Sequence, residues 1–307
     1  MIISVLYLII GGAFLFFGAD WLVKSAVFFA NRLKLSSFVI GLTVVAFGTS
    51  LPELVISLNA VLSNSSHIAI GNVVGSNIAN VGLVLGSTSL IFPMTMYFHR
   101  IKRDLYIYLF VCIVFIIFLF DGVISRIEGG TLFMGLIFYT WSCIKTKHAT
   151  DVESVTPIGK TTKAAFLFIL GILGLWAGAE LFVIGAKDLA QMLGVSERVI
   201  GLSVVALGTS LPELSTCFVA SFRKEHAISV GNIIGSNLFN ILSVIGIVGL
   251  VKPIISPSEI LTFEIPIMIA FGLVLIPLGL VKQPISRIYS LILVIAYFVF
   301  IYGLFVR

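Results

Sequence analysis

Apolar residues in this chain neither alternate at a strand's spacing nor collect on one stripe of a helix. They run on in long stretches broken by short polar connections. A helix needs about 20 apolar residues to cross the hydrocarbon core of a bilayer. Ten stretches of about that length are present, at 2–23, 38–62, 68–96, 104–121, 128–145, 163–186, 197–221, 227–251, 260–281 and 286–306. The pattern predicts an all-α integral membrane protein with ten transmembrane helices. The first stretch has no small-residue cleavage pattern before Asp20, so it reads as a retained helix rather than a signal peptide.

Composition narrows the class further. Of 307 residues, 59% are apolar and only 11% are charged, and the mean hydropathy is +1.16. Soluble domains carry roughly a quarter charged residues, so the solvent for most of this surface is lipid, and the expected location is a cell membrane. Cys112, Cys143 and Cys217 all fall inside apolar stretches, and an odd number there argues against a disulfide framework. No nucleic-acid motif accompanies the net charge of +5.

A search for internal repeats changes the picture. GLTVVAFGTSLPE at 41–53 returns as GLSVVALGTSLPE at 201–213, with eleven of thirteen positions identical. GNVVGSNIAN at 71–80 returns as GNIIGSNLFN at 231–240, and GAD at 18–20 as GAE at 178–180. All three pairs share an offset of 160 residues. The chain therefore reads as two five-helix repeats, 1–145 and 163–307, joined by a cytoplasmic linker at 146–162.

Five is odd, so the second repeat is expected to be inverted. Charge tests this through the excess of Lys and Arg in cytoplasmic loops. With the N-terminus outside, thirteen basic residues fall in the cytoplasm and five outside, with Lys24 near the inner end of the first helix. The bias also swaps between equivalent loops. SNSSH at 63–67 answers RKEH at 223–226, and HRIKRD at 99–104 answers the weakly charged surroundings of SPSE at 256–259. Both termini are expected outside. Inverted repeats are a recurring transporter architecture with the site at the midplane.

The repeated motif places Glu53 and Glu213 deep in apolar stretches, where a carboxylate costs at least about 2.5 kcal/mol. Each follows Gly-Thr-Ser-Leu-Pro, and the proline removes a backbone hydrogen bond. Carbonyls freed at membrane depth need another partner, and a cation supplies one. The second motif adds Ser76, Asn77 and Asn80, with Ser236, Asn237 and Asn240 in the other half. Ser76 and Asn80 share a helix face, as do Ser236 and Asn240. Gly71 with Gly75 and Gly231 with Gly235 allow close helix approach. Carboxylate, hydroxyl, amide and carbonyl oxygens suit hard cations such as Ca²⁺ and Na⁺. The absence of His and Cys from the motifs argues against zinc or copper.

With these two motifs and the ten-helix layout, the chain resembles the cation/calcium exchanger superfamily, and within it the prokaryotic type of the sodium/calcium exchanger branch. The resemblance covers essentially the whole chain. It implies exchange of Na⁺ for Ca²⁺ by alternating access, with the ions bound as substrates and no cofactor. It further implies that Glu53 and Glu213 bind Ca²⁺, with backbone oxygens from Thr49, Thr209, Ala46 and Ala206. Ser50, Ser210, Ser76 and Ser236 would hold Na⁺, and Asn80 and Asn240 would line the middle. Helices one and six would slide across the other eight. The family's potassium-dependent members, and some prokaryotic ones, have Asp where this chain has Asn240, so potassium co-transport is not expected. The proton-coupled branch typically has Gly-Asn-x-x-Glu where this chain has Gly-Thr-Ser-Leu-Pro-Glu, which leaves H⁺/Ca²⁺ exchange as the alternative.

Blander readings stand beside these. The two glutamates alone would also suit a structural intramembrane hydrogen bond, and the glycines suit ordinary helix packing. Asp20, one turn before Lys24 and beside Trp21, reads either as an interfacial anchor or as a pathway group, and Glu180 shares that ambiguity. Glu264 near a helix start reads as an end effect of the helix dipole. An intramembrane enzyme would need a nucleophile with a base or a metal-bound water. Ser50 near Glu53 has no intramembrane His or Lys beside it, so an enzyme is not expected.

Overall fold

The computed structural model describes residues 1–145, 160–194, 206–281 and 283–306. Positions 146–159 of the expected linker and 197–205 of the seventh expected helix lie outside them. The described residues fold almost wholly as helices. These are α1 (Ile2–Leu33), α2 (Ser37–Thr49), α3 (Leu51–Leu62), α4 (Ser66–Ile91), α5 (Phe98–Leu119) and α6 (Arg126–Lys145). In the second half come α7 (Thr161–Met192), α8 (Ala206–Gly208), α9 (Leu211–Phe222), α10 (His226–Val251), α11 (Glu264–Leu280) and α12 (Arg287–Val306). Seven described helices are long and apolar enough to cross a membrane, and the bent pair α2/α3 makes an eighth.

Several helix ends depart from the apolar stretches that announced them. α1 and α7 each run 32 residues, about ten and eight beyond the expected 2–23 and 163–186. Lys24, Asn31 and Arg32 lower hydropathy without breaking a helix, and α1 stops only where Lys34 turns left-handed at φ 54°. α5 begins at Phe98 rather than 104, so its first turns carry Arg100, Lys102, Arg103 and Asp104. The all-α expectation also misses a two-residue antiparallel ribbon. Val123 pairs with Ile255 and Ile124 with Ile254, tying the connection after α5 to the one after α10.

Glycine decides how the helices pair. A Cβ on Gly11 would stand 2.7 Å from the backbone N of Phe182 and 2.8 Å from the carbonyl of Gly178. Gly18 meets Leu175 and Gly171 in the same way, and Gly185 meets Ser4 and Leu8. As residue numbers rise on α1 they fall on α7, so the two helices lie antiparallel with their backbones in contact. Close approach of this kind replaces the hydrophobic driving force that lipid does not provide.

The buried apolar side chains form two groups. A large cluster joins α4, α5, α6, α10, α11 and α12 with parts of α2 and α9. A smaller one is built mainly from α1 and α7 (Leu15, Ala19, Leu22, Ala26, Leu175, Ala179) against Ile40, Val45 and Ile228. α10 is central, buried without interruption from Ile228 to Phe239. The flanks of α1, α7 and α12 expose Ile9, Phe14, Phe17, Phe166, Trp176 and Ile292, the surface a bilayer covers.

Candidate ion-binding site

The proline of each GTSLPE motif does not kink a continuous helix, as the sequence pattern implies. It opens a new one. α2 ends at Thr49, Ser50 leaves helical geometry, and α3 starts at Leu51 with Pro52 in its first turn and a 41° change of axis. At that position the missing N–H has no helical partner to lose. Glu53 consequently lies in the first turn of α3, where unpaired N–H groups favour negative charge. Glu213 occupies the same place in α9, behind Pro212.

Among the described residues, three further turns widen from α to π geometry, at Gly41–Val45, Asn80–Leu85 and Asn240–Ile245. Such turns are rare and concentrate at functional positions. Two of them begin at the asparagines expected to line the middle of the site.

These breaks bring the two repeats' polar residues together. Ser76 Oγ lies 3.4 Å from Glu53 Oε1 and 3.4 Å from Thr209 Oγ1. In the mirror arrangement, Ser236 Oγ lies 3.5 Å from Glu213 Oε1 and 3.3 Å from Thr49 Oγ1. Ser50 Oγ crosses between the halves to Glu213 Oε1 at 3.2 Å. Asn80 Nδ2 donates to Asn237 Oδ1 at 3.0 Å, and Asn240 Nδ2 to Asn77 Oδ1 at 3.0 Å. Subtracting 160 from the second-half numbers turns most of these contacts into one another. Glu53, Glu213, Ser76, Ser236, Asn80 and Asn240 are all buried. So are Thr49, Thr209, Ser50 and Ser210. Glu53 Oε2, Glu213 Oε2, Asn80 Oδ1, Asn240 Oδ1 and Ser210 Oγ have no hydrogen-bond partner among the described residues.

Of the expected carbonyl donors, that of Ala46 already accepts from the Ser50 N–H at 3.0 Å and the Thr49 hydroxyl at 3.3 Å. The Thr49 hydroxyl has one hydrogen and also lies 3.1 Å from Asn232 Oδ1, so donation to Asn232 leaves the Ala46 carbonyl a lone pair for an ion. Ala206 opens α8 at the edge of the described residues. No group of three or more His, Cys, Asp or Glu gathers among the described residues, so the site is two carboxylates in a neutral oxygen shell.

Four asparagines to which the family resemblance assigns no ligand role join the site, and two of them, Asn77 and Asn237, belong to the second motif. Asn77 and Asn237 bridge the halves, Asn72 donates to the Glu53 carbonyl at 3.2 Å, and Asn232 Oδ1 accepts from Thr49 at 3.1 Å. The signal was their place in both copies of GNxxGSN. Asp20 also proves less local than its spacing to Lys24 suggested. It pairs with Lys24 Nζ at 2.6 Å and accepts from Arg223 Nε at 2.6 Å, joining α1 to the end of α9. Its repeat counterpart Glu180 is exposed, and the counterpart of Arg223 is Ser63.

Comparison with known proteins bears on this geometry. The sodium/calcium exchanger protein family profile matches residues 3–145 and 163–306. The sodium/calcium exchanger MaX1 of Methanosarcina acetivorans is 35% identical over 345 residues, covering 99% of both chains. The inner membrane protein YrbG of Escherichia coli is 35% identical over 266 residues, covering 82% of this chain and 81% of its own. Among solved structures, the sodium-calcium exchanger NCX_Mj superposes with a TM-score of 0.85 at 33% identity, covering 99% of each chain. A duplicated oxygen site held between two repeats, and relatives aligned from end to end, lead to one conclusion. The chain belongs to the sodium/calcium exchanger family, in the prokaryotic branch of the cation/calcium exchanger superfamily.

Proposed function

We propose that this protein is a secondary antiporter that exchanges Na⁺ for Ca²⁺ across a cell membrane by alternating access. In this reading ten spans form two inverted five-helix repeats, both termini face outside, and the ions bind at the contact between the halves. Glu53 and Glu213 hold Ca²⁺ with carbonyls of Thr49, Thr209, Ala46 and Ala206. Ser50, Ser210, Ser76 and Ser236 serve Na⁺, and Asn80 and Asn240 line the middle. The antiparallel lie of α1 and α7, equivalent helices of the two repeats, supports the inversion.

The observation that carries the reading is the spacing of the oxygens. Hydroxyl hydrogen bonds prefer about 2.7–2.8 Å, whereas the site's oxygens stand 3.2–3.5 Å apart. Oxygens in an octahedral shell at about 2.3–2.6 Å from one hard cation are roughly 3.3–3.7 Å from their neighbours. This spacing supports reading the side chains as ligands more than as partners. Two carboxylates balance one Ca²⁺, so exchange against three Na⁺, the ratio the family resemblance implies, is electrogenic. Asn240 brings no third carboxylate for K⁺, which makes exchange K⁺-independent.

Calcium flux into proteoliposomes, with imposed Na⁺, H⁺ or K⁺ gradients and a clamped membrane potential, tests all of this. Uptake should follow the outward Na⁺ gradient, respond to potential and ignore K⁺. A flux that ignores Na⁺ and follows a pH gradient would move the protein to proton coupling.

A further inference from the structure

We propose that Asn77 and Asn237 are positioning residues that fix which end of the Asn80 and Asn240 amides faces the ion. The proposal rests on the ion site described above. A carboxamide has a carbonyl oxygen at one end and an NH₂ at the other. A cation is held by the first and repelled by the second. A half-turn of the amide therefore converts a ligand into an obstacle, a hazard that an aspartate at the same position does not carry.

The bonds of Asn77 settle the direction. Its Nδ2 donates to the backbone carbonyl of Asn237 at 3.2 Å, with Met268 Sδ 3.7 Å away. A carbonyl only accepts, so the Asn77 amide has a single orientation there. Its Oδ1 must face the other way, and it accepts from Asn240 Nδ2 at 3.0 Å. That contact uses the NH₂ of Asn240 and leaves its Oδ1 as the free end. In the other half Asn80 Nδ2 donates to Asn237 Oδ1 at 3.0 Å, leaving Asn80 Oδ1 free. Both oxygens are buried and have no partner among the described residues. The two contacts, 77 with 240 and 237 with 80, are one contact repeated by the 160-residue offset. The anchor is seen for Asn77 alone, since Asn237 Nδ2 is buried without a hydrogen-bond partner among the described residues, but in both copies the bare end of the ligand amide is its oxygen. Asn80 and Asn240 also open the two π turns, which sets them apart from the regular run of α4 and α10.

Ties that merely held the halves together would affect stability in any background. An orienting role makes a sharper prediction. Asn77→Ala should raise the apparent KM for Ca²⁺ by about tenfold, the scale of one lost interaction. Asn240→Asp presents oxygen at both ends, so adding Asn77→Ala to it should leave the KM within about twofold of Asn240→Asp alone, although any loss of melting temperature persists. Asn77→Leu, branched like Asn at Cγ and without a hydrogen-bonding atom, replaces Asn77→Ala if the latter does not survive purification. Calcium-dependent thermal stabilisation reports affinity for any variant that no longer transports. An equal KM rise in both backgrounds, or no rise with Asn240 present, overturns the proposal. Normal calcium transport by Glu53→Gln would instead overturn the site itself, so the two failures are distinguishable.

Discussion

Glu53 and Glu213 each turn one carboxylate oxygen toward serine hydroxyls and leave the other without a hydrogen-bond partner among the described residues. Glu53→Gln or Glu213→Gln keeps the shape and the hydroxyl contacts but removes the charge. Either should abolish calcium transport, to below about 1% of the parent rate if one full charge on a dehydrated divalent ion is lost, while the purified protein stays monodisperse. Flux and size-exclusion profiles of the two variants check this, and a monodisperse variant with normal uptake would end the two-carboxylate reading. These glutamates were legible in the sequence because a charge inside an apolar stretch is costly and the same charge recurs 160 residues on. The roles of Asn77 and Asn237 were not. Their partners are defined by a contact between helices 157 to 163 residues apart, which no local pattern announces.

At the scale of the helices, the glycine seam between α1 and α7 is the feature most sensitive to a single atom. A Cβ on Gly178 would meet the Leu15 backbone N at 2.7 Å and the Gly11 carbonyl at 2.9 Å. Neither is the movable end of a side chain. Gly178→Val should therefore cost at least the roughly 1–3 kcal/mol typical of overpacking, read as a lowered melting temperature and poor recovery. Gly12→Ala is the control, since a Cβ there meets nothing within 4 Å among the described residues. Such a stripe is visible in sequence only as an abundance of glycine. Which helix it faces depends on how the repeats dock. The break at Ser50 was half legible. Pro52 marked the disturbance, but only the fold shows that α2 ends before it and that Glu53 gains a helix N-terminus.

For the whole molecule, the proposed orientation rests on the uneven placement of Lys and Arg, and it is open to chemical test. Cys112, Cys143 and Cys217 are buried free thiols, so a single introduced cysteine reports its own side. His99, in the first turn of α5, and Asp121, just past its end, are exposed. An impermeant maleimide added to intact cells should label Asp121→Cys and leave His99→Cys unlabelled until the cells are opened. The reverse result would invert the assigned topology.

Duplication of the ion-site motifs has a thermodynamic corollary. A machine whose halves exchange roles when it changes state would, if the halves were identical, rest equally in both states, because each is the mirror of the other. Any preference must come from features that lack a counterpart. The link from Asp20 to Arg223 is one, since position 63 offers a serine and Glu180 faces outward. It ties the α1/α7 pair to the remaining helices on the side where Lys and Arg gather. In the alternating-access reading proposed above, the link favours the form closed on that side. A transporter biased in this way has unequal apparent affinities for Ca²⁺ at its two faces. Arg223→Ser makes position 223 match position 63. The ratio of the two KM values, measured in oriented vesicles, should then move toward unity, and a ratio that does not move would reduce the pair to a simple anchor.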